Sequence, residues 1–249
     1  MENNQEYNDI VEGRNAVIEL LKSNRSVNKI LIAKGEKHGS INQIIFLARE
    51  KKIVITDTEK SKLDMLSETK NHQSVIALVP PYNYSNIDDI LEEAKNKKED
   101  PFIIILDGIE DPHNLGSIIR TAEVAGCHGI IIPKRRAVAV NSTVAKVSAG
   151  AVEHIKIARV TNITDTIEKL KKEGLWITGT DMVGEKVYSE QDLTGPMALV
   201  VGSEGYGMSR LVKENCDILI KIPMKGKISS LNASVSAGIV IYEVSRQRG

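Results

Sequence analysis

Apolar positions along this chain fall into two successive series of short runs and helical stripes. Ile30–Ile32, Ile53–Ile55 and Val75–Val79 are short apolar runs that predict strands, and Asn15–Lys22 and Ile41–Lys51 repeat apolar residues at helical spacing. The proline-led polar stretch Pro80-Pro81-Tyr82-Asn83-Tyr84-Ser85 then reads as a linker. A small α/β domain is therefore expected over residues 1–80, with a linker and leading helix over 81–100 that includes the charged amphipathic stripe Ile87–Lys98. Beyond it, Phe102–Leu106 is five apolar residues without alternation, the mark of a strand buried on both faces. Ile130–Ile132, Ile155–Ala158, Leu175–Thr178, Ala198–Val201 and Ile218–Ile222 continue the series, with helical patterns at Ile163–Lys172 and Asn232–Arg246. An open, mostly parallel α/β sheet is expected over 101–249. Ligands of such sheets sit beyond the carboxyl ends of the strands.

Three of those strand ends carry unusual residues. After the first buried strand comes DGIEDPHNLGSIIRTAEVAG, Asp107–Gly126, with Asn114 as expected N-cap, Gly126 as the residue past the helix end, and Arg120 mid-helix. Arg120 is either a solvated surface side chain or one leaning back over Gly116 toward the helix start. LVVGSEGYGMS, Leu199–Ser209, places Gly202, Gly205 and Gly207 between a strand and a helix, with Glu204 at the tip. It is neither GxGxxG nor a Walker P-loop, and close backbone packing explains such a turn as readily as a ligand does. The third run, IPMKGKISSLNASVSAG, Ile222–Gly238, reads as a strand end, a loop and a helix starting near Ser230. No acidic residue lies between Ile218 and Tyr242, whereas Lys221, Lys225 and Lys227 do, so this helix start is expected to hold an anionic or oxygen-rich ligand. Ala233, Ala237 and Ile241 share a face suited to core packing or to a dimer interface.

Composition narrows the classes. The 249 residues are 41% hydrophobic and 27% charged, ordinary for a globular protein, and the formal net charge is zero. Aromatics make up only 4%, which argues against an RNA-binding sheet built on stacked rings. Cys127 and Cys216 stand far apart in no CxxC pattern and are expected to be free thiols. MENNQEYND has no basic n-region or apolar h-region, and no apolar run reaches the ~20 residues of a membrane span, so a cytoplasmic protein is expected. One basic group stands out: Lys134, Arg135, Arg136, Lys146, Lys156 and Arg159, opposed locally only by Glu153.

Taken together, D-P-x-N-x-G-x-x-x-R, G-x-E-x-x-G and I-P-M-x-G…S-L-N resemble the three motifs of the SpoU (TrmH-like) RNA ribose 2′-O-methyltransferases, in order, with the likeness running from about Tyr7 onward. The SSLNASVSAG ending and the small first domain look most like the branch that methylates a guanosine of 23S rRNA. The resemblance implies a SPOUT-type catalytic domain with a C-terminal trefoil knot, preceded by a ribosomal-protein L30e-like domain that binds substrate. It implies S-adenosylmethionine as cofactor, no metal, a homodimer with sites shared across the interface, and rRNA as partner. By the same resemblance Asn114, Arg120, Glu204, Ser230 and Asn232 are catalytic-site residues, and Gly202, Ile222, Leu231, Thr180 and Met224 bind the cofactor. RNA contacts are expected from Arg14, Asn15 and His72 and, more strongly, from Lys134, Arg135 and Arg136. Rival expectations are the same chemistry on tRNA or on a drug-resistance rRNA site, and a non-catalytic RNA-binding assembly factor. An oxidoreductase using a nucleotide is disfavoured because GxGxxG is absent.

Overall fold

The computed structural model describes residues 9–36 and 38–249. The stretch from Met1 read above for a signal lies outside the described residues except for Asp9. In chain order the elements are β1 (Asp9–Glu12), α1 (Arg14–Lys22), β2 (Lys29–Ala33), α2 (Ser40–Glu50), β3 (Ile55–Thr58), α3 (Lys60–Leu66) and β4 (Val75–Val79). There follow α4 (Ile87–Lys97), β5 (Phe102–Asp107), α5 (Pro112–Val124), β6 (Gly129–Pro133), α6 (Ser142–Val147), β7 (Lys156–Val160), α7 (Ile163–Lys172) and β8 (Trp176–Thr180). The chain ends with β9 (Lys186–Val187), β10 (Met197–Gly202), α8 (Arg210–Glu214), β11 (Ile218–Lys221) and α9 (Ala233–Arg248). Two compact units result: residues to Asn83 with Val140–His154, and Tyr84–Ala139 with Ile155–Gly249.

The first unit is a four-stranded sheet in the order β1-β4-β2-β3, with β4 antiparallel to both neighbours and β2 parallel to β3. The strand expected at Ile53–Ile55 begins only at Ile55, because Ile53 instead donates to the carbonyl of Ala48 and closes the end of α2. Val140–His154 separates from the contiguous division expected from sequence. Within the first unit α6 packs on β1, and Glu153 pairs with Arg25 at 2.8 Å while the Arg25 guanidinium lies 5.3 Å over the Tyr82 ring.

The second unit is a seven-stranded parallel sheet in the order β7-β6-β5-β10-β8-β11-β9. Its central strands are buried on both faces, with Ile103, Ile105, Ile131, Ile177 and Val200 in one core cluster, as expected from their unbroken apolar runs. The α4 helix belongs to that core through Ile90 rather than to a linker. Strand order reverses between β5 and β10, and Asp107 pairs in register with Gly202 at their carboxyl ends. The first two motifs therefore begin side by side at the crevice where open α/β sheets take ligands.

The two helix starts near the motifs compare differently with expectation. Asp111, not Asn114, caps α5: its carboxylate accepts from the backbone N–H of His113, and Pro112 takes the first helical position. That leaves Asn114 buried inside the first turn with its side chain free for another role. The last helix starts after Asn232, as the Asn232–Arg246 stripe predicts and slightly beyond Ser230, and the Asn232 side-chain oxygen accepts from Ser234 and Val235. Ala233, Ala237 and Ile241 are buried within the chain, where α9 packs on α5 and β10, so small side chains there serve core packing and not a partner. Both cysteines are free; burial pushes the Cys216 thiol up to about 12.

The far end of the sheet is closed by polar contacts. Arg248 lies 5.0 Å over the Phe102 ring and donates to the carbonyls of Asp100, Pro101 and Gly195. Buried His128 accepts the Phe102 N–H at Nδ1 (3.0 Å), and its Nε2 lies 3.1 Å from Glu99. That geometry requires Nδ1 unprotonated, and burial lowers the His128 pKa below its ordinary value. The unfolded chain then binds more protons below about pH 6.5, so stability falls as pH drops from there toward the folded pKa and levels off beneath it. We expect the urea midpoint to decline between pH 7.5 and 5.5, with His128→Asn reducing that decline; an unchanged slope would remove His128 as its cause.

Candidate active site

The loop after β10 turns back on itself. Ser203 and Gly207 exchange backbone hydrogen bonds of 3.0 Å in both directions, and Gly205 and Gly207 adopt φ of +82° and +65°. A Cβ at Gly202 would lie 2.2 Å from the carbonyl carbon of Gly207 and from the nitrogen of Met208, an overlap with backbone that no rotamer relieves. Asp107 at the end of β5 accepts from the N–H of Ser209 at 2.7 Å and ties the first motif to the far side of this turn. Glycine here serves close packing, and that packing sets the position of Glu204.

One carboxylate oxygen of Glu204 joins the three motifs. It accepts from Asn114 Nδ2 (3.2 Å), from Asn232 Nδ2, and from the backbone N–H of Ala233 at 3.1 Å. Asn232 Nδ2 also donates to Asn114 Oδ1 at 2.9 Å. A carboxylate at the start of α9 is favoured by the helix dipole as well as by these donors. Of the five residues expected at the catalytic site, the structure brings Asn114, Glu204 and Asn232 into direct contact.

Beside this corner lies a cavity of about 370 Å³, within the range of small-molecule sites. Thr180, Gly202, Ile222, Met224 and Leu231 all line it, as does Ser230. Among the described residues, the charged ones that line it are Asp181 and Glu204. Lys221, Lys225 and Lys227 do not line it, so the anionic ligand expected from those lysines does not match the wall. A second, open cavity of about 1010 Å³ adjoins it, sharing Ser203, Glu204, Tyr206 and Gly207. Arg135, Arg136 and Arg210 line this groove. Tyr206 and Arg210 were missed from the sequence; the signal was an aromatic residue between two glycines at the tip of a strand-to-helix turn.

Other expected residues lie apart. Arg120 is exposed and lines neither cavity. It follows Asn114 by six residues, about 120° round the helix and ~9 Å along it, so one chain cannot present both side chains on one face. Arg14 belongs to the first unit, where it donates to the Gln73 carbonyl and pairs with Glu36 at 3.3 Å. Asn15 is exposed beside it, lining a shallow pocket with Arg14. His72 is not RNA-facing: it is 4% exposed, with Nδ1 accepting from the Ser74 N–H and Nε2 2.9 Å from Asp64. Lys134 is exposed at the end of β6, next to the groove residues Arg135 and Arg136. The six-residue basic group is divided: Arg159 donates to the Lys134 carbonyl at 3.2 Å, beside Arg135 and Arg136, but three of its members also have partners of their own. Lys146 donates to Thr69 and Asn71 in the first unit, Lys156 pairs with Glu93, and Arg159 lies over the Tyr84 ring. Glu153, its supposed counter-charge, belongs to Arg25.

The ends of β8, β10 and β11 thus wall the small cavity, while the end of β5 and the start of α5 line the groove that adjoins it at the switch point of the sheet. Residues 101–242 match the SpoU rRNA Methylase family and residues 10–85 match the RNA 2′-O ribose methyltransferase substrate-binding family, and the chain belongs to the SpoU family. It is 52% identical to the putative TrmH family tRNA/rRNA methyltransferase YacO of Bacillus subtilis, over 98% of this chain and 97% of that protein. The SpoU methyltransferase AviRb from Streptomyces viridochromogenes, solved in complex with AdoMet, superposes with a TM-score of 0.83 at 27% identity over 97% of this chain and 90% of its own. The TrmH/SpoU tRNA-modifying enzyme of A. aeolicus superposes with a TM-score of 0.55 at 30% identity, covering 64% of this chain and 84% of its own.

The Glu204 contacts predict a split between two substitutions. Glu204→Gln keeps an acceptor oxygen at the corner, whereas Glu204→Ala leaves three donors without it. We expect the alanine variant to lose ~1–2 kcal/mol more stability than the glutamine variant in urea titrations, a modest figure because the carboxylate is exposed. Equal losses would show that the shared oxygen does not hold the motifs together.

Proposed function

We propose that this chain methylates the 2′-oxygen of a ribose in ribosomal RNA, a guanosine of 23S rRNA, using S-adenosylmethionine. The observation that carries this is the corner where Asn114, Glu204 and Asn232 meet, between a small acid-lined cavity and an arginine-lined groove. The cavity fits the cofactor's chemistry: its charged wall is acidic, suiting a sulfonium cation, and Ile222, Met224 and Leu231 give it apolar surface. Gly202 and Thr180 complete the walls that would hold it. When bound, S-adenosylmethionine supplies an electrophilic methyl group; the protein must position a ribose hydroxyl and accommodate one proton.

In this proposal Glu204 holds the two asparagine amides in place, and Asn232 and Ser230 orient the ribose. Arg120 stays charged, because lowering a guanidinium from about 13 to about 7 would cost about 8 kcal/mol. It grips the target's phosphate and stabilises the developing alkoxide, while that phosphate or a water takes the proton from the 2′-oxygen. Lys134, Arg135 and Arg136 contact further phosphates, with Arg14 and the rest of an L30e-like first unit adding RNA surface.

The exposure of Arg120 supports a homodimer in which each chain lends it to the other's site. Val124, Val235 and Tyr242 stand exposed on α5 and α9, two helices packed on each other, and offer an apolar face for the second copy. A trefoil knot is inferred from the resemblance and agrees with β10 lying between β5 and β8 while the loops after β8, β10 and β11 line one cavity. A cytoplasmic location follows from the substrate; among the described residues no helix is long and apolar enough to cross a membrane. The rRNA assignment is favoured over tRNA because the A. aeolicus tRNA-modifying enzyme matches only 64% of this chain. A non-catalytic assembly factor would have no need of Asn114, Arg120, Ser230 and Asn232 together.

Two experiments decide these points. Mapping ribose methylation in RNA from a strain lacking this protein should lose one 23S guanosine mark; a lost tRNA mark instead would overturn the substrate. For shared sites, Arg120→Ala and Asn114→Ala homodimers should each be slower by roughly a hundredfold. A purified heterodimer of the two variants should regain about half the wild-type rate, since one of its two sites is complete. No recovery would place both residues in the same chain's site and sink the exchange.

A further inference from the structure

Tyr206 stands at the tip of the turn after β10 and is 96% exposed, more than any other large hydrophobic side chain among the described residues. Aromatics are few in this chain, with six Tyr, two Phe and one Trp, so a ring left in water on a tight turn calls for a reason. Its backbone is nonetheless held: the Ser203–Gly207 hydrogen bonds close the turn, and Glu204, two residues earlier, is fastened to Asn114, Asn232 and Ala233. The ring is thus an exposed side chain on an anchored stem. It lines both the small cavity and the arginine-lined groove, at the boundary a nucleotide must cross to bring its ribose from one to the other.

Along the groove, Arg135, Arg136 and Arg210 supply cations, with Arg210 only loosely paired to Glu214 at 3.7 Å. Asp107, Glu110, Asp111 and Glu204 line the same groove, so its charge is mixed; Asp107 and Asp111 accept from the backbone N–H groups of Ser209 and His113. A groove that offers three arginines to phosphates and one exposed ring at its inner end can bind single-stranded nucleic acid through phosphates and one stacked base. A base inside a duplex has no free face to offer such a ring.

We propose that Tyr206 is a positioning residue on which the target nucleobase, or its immediate neighbour, stacks, so that the enzyme takes its target unpaired. This rests on the RNA methyltransferase reading above and extends it to the state of the substrate. The ring's face is what matters, and its hydroxyl is dispensable.

The test compares Tyr206→Phe, Tyr206→Leu and Tyr206→Ala with the wild-type protein. Fluorescence anisotropy is read on a dye-labelled, mixed-sequence single-stranded oligoribonucleotide and on the perfect duplex of the same sequence. Calorimetry of S-adenosylhomocysteine binding runs in parallel. Phe should hold single-strand affinity within about twofold, while Leu and Ala lose roughly five- to hundredfold. Duplex affinity should be unchanged in all three, because phosphate contacts carry it. Equal losses on both RNAs, no loss in the alanine variant, or full function with leucine would each overturn the stacking role. Failure of the wild-type protein to bind S-adenosylhomocysteine would strike instead at the methyltransferase reading, and the anisotropy series would still judge Tyr206.

Discussion

A single carboxylate oxygen, Oε1 of Glu204, is where three remote parts of the second unit meet. Asn114, Asn232 and Ala233 all direct N–H groups at it, from segments 90 and 28 residues away for the two asparagines. Without a shared acceptor, these donors would have to find water or one another, and the segments would be tied only by the Asn232–Asn114 and Ser209–Asp107 hydrogen bonds and by the packing of α5 on α9. The oxygen can play this part only because the turn beneath it is tight. That turn in turn exists because Gly202 lets the Gly207–Met208 backbone approach closer than any side chain would allow. Small residues and one charge thus do what bulky packing does elsewhere in the sheet.

Much of this was legible in the chain. Unbroken apolar runs identified the central strands, because burial on both faces removes alternation, and Phe102–Leu106 shows it most clearly. The helix at Ile163–Lys172 matches its expected bounds, with Asn162 as its cap. Harder cases had local causes. Two equally good caps, Asp111 and Asn114, stand three residues apart, and only Pro112 at the first position decides between them. Ser230 and Asn232 posed the same choice at α9. Small residues on α9 could not be assigned to core or partner from spacing alone, since both demand close approach. The basic group dissolved for a different reason: sequence proximity of charges says nothing about which unit each joins, and Lys146 and Glu153 fold with the first.

The site residues divide by the same logic. All five expected cavity residues line one wall because each sits at the carboxyl end of a strand or in the loop following it, and a parallel sheet gathers such ends on one edge. Arg120 escapes this rule because it rides on a helix, about two thirds of the way along the segment whose first turn carries Asn114. Its separation from the corner is a consequence of helical geometry rather than of loop placement.

Zero net charge conceals a separation that the chemistry needs. A positively charged donor and a polyanionic acceptor must be brought within bonding distance, yet one uniform field would repel one of them. The small cavity carries Asp181 and Glu204 with no cation among the described residues, whereas the adjoining groove sets Arg135, Arg136 and Arg210 among Asp107, Glu110, Asp111 and Glu204. Lys213 lies 2.9 Å from Asp181 and offsets its charge, which leaves Glu204 as the less compensated acid on the boundary between the two. The residue that fixes the geometry of the corner is therefore also the one that sets its electrostatic sign. Substitutions that preserve its contacts but remove its charge separate those two duties, because the first is a matter of hydrogen-bond geometry and the second of field.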